Sequence, residues 1–313
     1  MATQQQSEIY VGEEPDADSG VFDRLPVSFE VLLLTPSILV LAVLSIVPLV
    51  ALLWMSVMEI NFLPNHEPTF VGLQNYRQMF NATVAHSWRV TAVYVGGALT
   101  LQIGLGTSVA VLLDRVSKGE NLFTSVIIMP MMIAPVVVGL LWQFLLDPSF
   151  GLYTWLLNQV GLFTSAPILG SQPSALVAVI VMDTWEWTPL VVLIVLAGLK
   201  SIPQQLYEAA RVDGATFWTE FRYVTLPMLK PALAIALLLR SMDLMRYFTK
   251  IFITTGGGPA SSTKIIGFLV YEQSLRFYNL GYGSALGIGM LVVTILLGIF
   301  FVETVMGGAG DDE

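Results

Sequence analysis

Residues Leu206–Pro231 read LYEAARVDGATFWTEFRYVTLPMLKP. This is the most polar long segment between two strongly apolar ones. Gln204–Asp213 reads as a short helix, with Leu206, Ala209, Ala210 and Val212 set among Glu208 and Arg211. Gly214 should break it by supplying a left-handed cap. Ala215–Val224 then reads as a second short helix. Its Phe217, Phe221 and Val224 fall at i, i+4 and i+7, which makes one apolar stripe. Leu226-Pro227 is expected to end that helix. The segment therefore predicts a helix–turn–helix lying on a membrane face. Taken alone, its residues suit a connector resting on the bilayer as well as a docking element for a cytoplasmic partner.

The flanks make the membrane the first inference. Of 313 residues, 55% are hydrophobic and 12% charged, with a mean hydropathy of +0.73. A soluble domain carries roughly 25% charged residues. Half that fraction with repeated apolar runs indicates an all-α integral membrane protein in contact with lipid. There is no cysteine, so disulfides and thiolate metal sites are excluded. His66 and His86 are the two histidines, too few for a multi-histidine metal site. The formal charge of −9 argues against nucleic acid as a partner. Much of the acid lies in residues 1–28 and 306–313, which read as solvated tails. The first residues are acidic and polar, without the basic and apolar regions of a signal peptide.

A spanning helix needs roughly 20 residues. Six candidates are present: 29–58, 90–113, 122–146, 175–199, 232–254 and 285–305. Pro36, Pro48, Pro130 and Pro135 fall within them. Such prolines are tolerable because neighbouring helices satisfy the freed carbonyls. With the N-terminus inside, Arg24, Arg115, Lys118, Lys200, Arg211, Arg222 and Lys230 are cytoplasmic, and Arg77, Arg89, Lys264 and Arg276 lie outside. That excess of basic residues predicts both termini and the 204–227 loop on the cytoplasmic side of the cell membrane. Gly151–Gly161, GLYTWLLNQVG, is too short to span and reads as an interfacial helix on the outer side.

Glu208-Ala209-Ala210, then Gly214, then nine residues and Val224-x-Leu226-Pro227, resembles the EAA loop of binding-protein-dependent ABC importer permeases. The longer string LAGLKSIPQQLYEAARVDGA, Leu196–Ala215, is similar to the maltose- and trehalose-type sugar permeases. FVGLQNYRQMF at Phe70–Phe80, TGGGP at Thr255–Pro259 and YNLGYGSAL at Tyr278–Leu286 extend the likeness from about Phe29 to Val305. The resemblance implies a six-helix permease domain over 29–305 whose EAA loop is the coupling helix on an ATPase. It implies a homologous second permease, two ATP-binding cassette subunits that hold ATP and Mg, an extracytoplasmic binding protein and a carbohydrate substrate. No cofactor is expected on this chain. The binding protein would meet outer loops such as Asn61–Ser87 and Gly256–Tyr282. Small Ala209 and Ala210 suit close approach, Glu208 can accept hydrogen bonds, and Gly214 allows the turn.

Gly256–Lys264, GGGPASSTK, lacks the GxxxxGK[ST] order, and no nucleophile–base pair stands out, so the chain is not expected to be an enzyme. The fifth span carries Arg240, Asp243, Arg246, Tyr247 and Lys250. On a helix of about 3.6 residues per turn these share a face about 120° wide. Ionisable groups in a membrane cost about 2.5–3.5 kcal/mol each on insertion scales, so they should face the protein interior or a water-filled path. Two readings stand: a polar wall of the translocation pathway, and an internal ion-pair network. The fourth span carries Asp183, Trp185, Glu186 and Trp187, followed by Pro189. Rings stack on sugar faces and carboxylates accept hydroxyl hydrogen bonds, which suits a carbohydrate site. The same carboxylates could instead pair with Arg240 or Arg246. Trp142 and Gln143 in the third span are further pathway candidates. Gly96, Gly97, Gly104, Gly106, Gly287 and Gly289 predict close helix contacts. The rival function is an ion-coupled secondary transporter using Asp183, Glu186 and Asp243. A third is a membrane anchor that merely docks a cytoplasmic partner.

Overall fold

Prolines, glycines and buried charges set where the long apolar helices of this chain break. The computed structural model describes residues 29–61, 67–116, 118–161 and 167–306. The acidic tails expected at 1–28 and 306–313 lie, apart from Met306, outside the described residues. The chain divides into two units, 1–51 and 52–313.

The elements in order are α1 Phe29–Ser56, strands β1 Met58–Glu59 and β2 Thr69–Phe70, α2 Gln74–Gln78, α3 Ala82–Asp114, α4 Glu120–Ile128 and α5 Pro135–Leu145. There follow α6 Leu152–Gln159, α7 Ser174–Lys200, α8 Gln204–Val212, α9 Phe217–Glu220 and α10 Leu226–Arg246. α11 Thr249–Thr254, α12 Ile266–Tyr271 and α13 Leu280–Met306 complete the order. Among the described residues, five helical stretches are long and apolar enough to cross a membrane, and α4 with α5 makes a sixth if the bent pair is one span. β1 and β2 form a small antiparallel ladder, Met58 opposite Phe70.

Four expectations need correcting. The second span begins at Ala82, not Val90, because Asn81 caps it by accepting from the Val84 N–H at 2.9 Å. The third span is broken: α4 with the 3-10 turn Met129–Met132 meets α5 at 93°. Ala134 precedes Pro135 and is therefore driven to extended backbone, φ −61° and ψ 135°. The fifth span is not one helix either. α10 stops at Arg246, Tyr247 is extended at φ −90° and ψ 102°, and α11 restarts the helix. Finally, Leu226-Pro227 ends nothing. A π-helical turn, Phe221–Thr225, leads from α9 straight into α10. The wider turn makes room where the Pro227 ring would crowd the carbonyl four residues back.

α3 and α7 form the centre. Lipid offers no hydrophobic drive between helices, so association rests on close packing. Gly106 supplies it: a Cβ there would lie 2.6 Å from the Val191 side chain. Gly97 sits similarly against Ile180, whereas Gly96 and Gly104 face open space. Ala110 and Leu113 of α3, Val192, Val195 and Leu199 of α7, and Leu229 and Ala236 of α10 pack into one buried cluster at one end of the bundle. Nearer the break, Tyr94, Ala98, Val179, Leu244 and Ile251 belong to a second. α7 runs unbroken through Pro189.

Candidate functional site

Two features of the chain carry chemistry. The first is the opening segment. Pro203 is extended and starts α8, whose last turn closes with the Gly214 N–H donating to the Arg211 carbonyl at 3.1 Å. Gly214 holds φ +77°, the left-handed conformation expected of it. Thr216 then caps α9, accepting from the Thr219 N–H at 3.4 Å. α8 buries none of its residues. Glu208, Ala209, Asp213 and Gly214 are exposed, Ala210 is half-buried, and Val212 is 88% exposed. The segment is nevertheless tied down. Arg211 pairs with Glu220 at 3.6 Å, the Tyr207 hydroxyl meets Thr225 Oγ1 at 3.3 Å, and the Arg115 guanidinium lies 3.9 Å over the Phe217 ring. α8 is thus a short, braced helix with an outward face of small and acidic side chains. Leu226 and Pro227 are exposed at the start of α10.

The second feature is buried. Asp183 and Glu186 of α7, Arg240 of α10 and Lys250 of α11 each have side chains no more than 2% exposed. Arg240 Nη2 donates to Asp183 Oδ2 at 2.8 Å, and its Nε donates to Gln102 Oε1 at 2.9 Å. Gln102 in turn donates from Nε2 to Asp183 Oδ2 at 2.8 Å. Lys250 Nζ donates to Asp183 Oδ1 and, at 2.5 Å, to Glu186 Oε2. The Trp187 ring lies 4.8 Å from the Arg240 guanidinium, and the Tyr247 ring 5.5 Å from Lys250 Nζ. Two cations face two anions, so the group is neutral. Such a group is tolerable away from water only when every charge keeps its partner. Two polar atoms here have none, Glu186 Oε1 and Trp187 Nε1.

The structure brings Asp183, Glu186 and Arg240 together as an ion-pair network. Of the two arginines expected as partners for the fourth-span carboxylates, Arg240 takes Asp183 and Arg246 takes neither. Arg246 is 70% exposed at its side chain and pairs with Asp243 at 2.7 Å. Asp243 also lies 3.6 Å from Arg240 Nη1 and is 26% exposed. The single five-residue face is likewise corrected, because the helix breaks at Tyr247. Lys250, beyond that break, pairs with Asp183. Trp142 and Trp185 form a separate aromatic group with Tyr153, their own rings 6.1 Å apart. Gln143 is exposed on α5. Gln102 was missed by sequence reasoning. Its only signal was an amide amid the apolar residues of the second span.

Residues 102–305 match the family described as binding-protein-dependent transport system inner membrane component. The chain is 35% identical over 281 residues to the trehalose/maltose transport system permease protein MalF of Thermococcus litoralis, covering 88% of this chain and 92% of that one. It is 30% identical over 276 residues to the trehalose transport system permease protein SugA of Mycobacterium tuberculosis, covering 87% of each. The fold is similar to that of a bacterial ABC transporter involved in import of the acidic polysaccharide alginate, with a TM-score of 0.75 at 23% identity over 88% of this chain and 94% of that one. An exposed, braced coupling-type helix, a helical bundle of this architecture and a family match over most of its length agree, and the chain belongs to the binding-protein-dependent transport system inner membrane components.

Proposed function

We propose that this chain is one of two permease subunits of an ATP-driven importer and forms half of the pathway for a carbohydrate. The observation that carries the coupling part is α8: a braced, largely exposed helix with Ala209 and Ala210 beside Glu208, closed by Gly214 in the left-handed conformation. A short helix held at both ends transmits a push without bending. In this reading Glu208, Ala209, Ala210, Asp213, Gly214, Leu226 and Pro227 meet a partner ATPase. ATP and Mg are bound by that partner, and both termini lie on its side of the membrane. The carbohydrate part is supported by the relatives named for trehalose and maltose. An extracytoplasmic binding protein delivers the sugar.

Within the pathway, Asp243, Arg246, Tyr247 and Trp185 are the candidates for passing contact with substrate, because they are partly or largely accessible, whereas Trp142 is buried beside Trp185. Asp183, Glu186 and Arg240 support the wall by pairing with one another. The same pairing weighs against ion coupling through Asp183 and Glu186, since both carboxylates already hold Lys250. Uptake of labelled trehalose and maltose by cells expressing the full transporter tests this. Loss of uptake on ATP depletion, with persistence under a protonophore at constant ATP, is expected. Dependence on the ion gradient alone would overturn it.

A further inference from the structure

The fifth span is interrupted at Tyr247, yet both sides of the interruption end on one carboxylate. Arg240 reaches Asp183 from α10, and Lys250 reaches it from α11. The α11 side is held in two ways. Its Ile253 packs against α5, where a Cβ on Gly139 would lie 3.1 Å from that side chain. Its Lys250 pairs with Asp183 and Glu186 on α7. α5 is itself the second half of a broken span. α11 therefore has a choice of bodies to travel with, α5 or α7. Desolvated ion pairs are strong, directional ties when all partners are present, whereas an apolar contact can slide.

We propose that Lys250 is a positioning residue: by pairing with Asp183 and Glu186 it fastens α11 to α7, so that α7, α10 and α11 move as one body during transport. The push received at α8 and passed into α10 then reaches the far side of the break instead of being absorbed there. Asp183 is the common anchor, and Glu186 adds a second grip on Lys250 alone. The part about movement rests on the importer reading above. The fastening itself does not.

The chain has no cysteine, so labels can be placed without background. Leu239 and Phe252 flank the break and are each 45% exposed. Spin labels at Leu239→Cys and Phe252→Cys in the assembled transporter, in lipid, would sit ~20 Å apart by helical rise. The wild-type background should give one narrow distance, unchanged between the nucleotide-free and the vanadate-trapped complex. Lys250→Met with Glu186→Gln keeps Asp183 and Arg240 as a balanced pair, which protects folding. In that background the distance distribution should broaden or split, and sugar taken up per ATP hydrolysed should fall several-fold while hydrolysis persists. Lys250→Arg should restore both. A wild-type distance that changes on trapping, or a double variant with wild-type distance and coupling, would overturn the proposal. The nucleotide-free distances read the fastening alone. A complex that hydrolyses no ATP would count against the importer reading instead.

Discussion

Asp183 and Gln102, on α7 and α3, grip the same arginine: Arg240 donates Nη2 to the carboxylate at 2.8 Å and Nε to the amide oxygen at 2.9 Å. The amide closes the triangle by donating to Asp183, so three helices meet at one guanidinium. Each side chain orients the next.

Asp183→Ala leaves Lys250 with the Glu186 carboxylate alone and Arg240 with only the more distant Asp243 carboxylate, 3.6 Å away. Removing one member of a buried pair costs about 3–5 kcal/mol. The variant should accumulate poorly, and its thermal midpoint in detergent should drop sharply. Glutamate at 183 should not rescue it fully, because the longer side chain displaces both cations. Size-exclusion profiles and scanning fluorimetry check this.

Gln102→Leu removes one acceptor from Arg240 and one donor from Asp183 but leaves the charges balanced. Its cost should be about 1–3 kcal/mol, below that of Asp183→Ala. The ordering of the two midpoints is the measurement. Equal losses would mean that the amide matters as much as the charge.

Gly106→Leu should separate α3 from α7, since even a Cβ there would lie 2.6 Å from Val191. Overpacking of this kind costs about 1–3 kcal/mol, and Val191→Ala in the same chain should recover part of it. Gly104→Leu, where nothing lies within 4 Å of a Cβ, should be tolerated in the isolated chain. Melting curves of the three variants against the wild type decide.

Much of this is legible in the amino-acid sequence. The α8 helix, the left-handed Gly214 and the apolar spans follow from local chemistry: alanines and a glutamate that favour helix, a glycine that admits positive φ, and length matched to a bilayer. Pro135 reads in the sequence as tolerated within one third span, but the residue before a proline avoids the helical region and the span breaks there. The break at Tyr247 had no such signal. Arg246-Tyr247-Phe248-Thr249 contains neither glycine nor proline. It is set by tertiary contacts, with Lys250 drawn to α7 and Gly267 of α12 seated against the Met245 and Arg246 carbonyls. Gln102 was invisible for the same reason. Its partners lie 81 and 138 residues away.

Gly214→Val forces a β-branched residue into φ +77°, at a cost of about 1–3 kcal/mol of local strain. The strain falls on an exposed turn, so the bundle should stay folded while α8 is misaimed. Glu208→Ala, fully outside the packed core, should leave folding unchanged. Coupling of α8 to an ATPase is tested directly by one assay. The reconstituted transporter, wild type against Glu208→Ala and Gly214→Val, is tested for ATP hydrolysis stimulated by the substrate-loaded binding protein. Loss of stimulation in both variants, with the chain still folded, is the predicted result. Full stimulation in both would contradict the claim and reduce α8 to a connector.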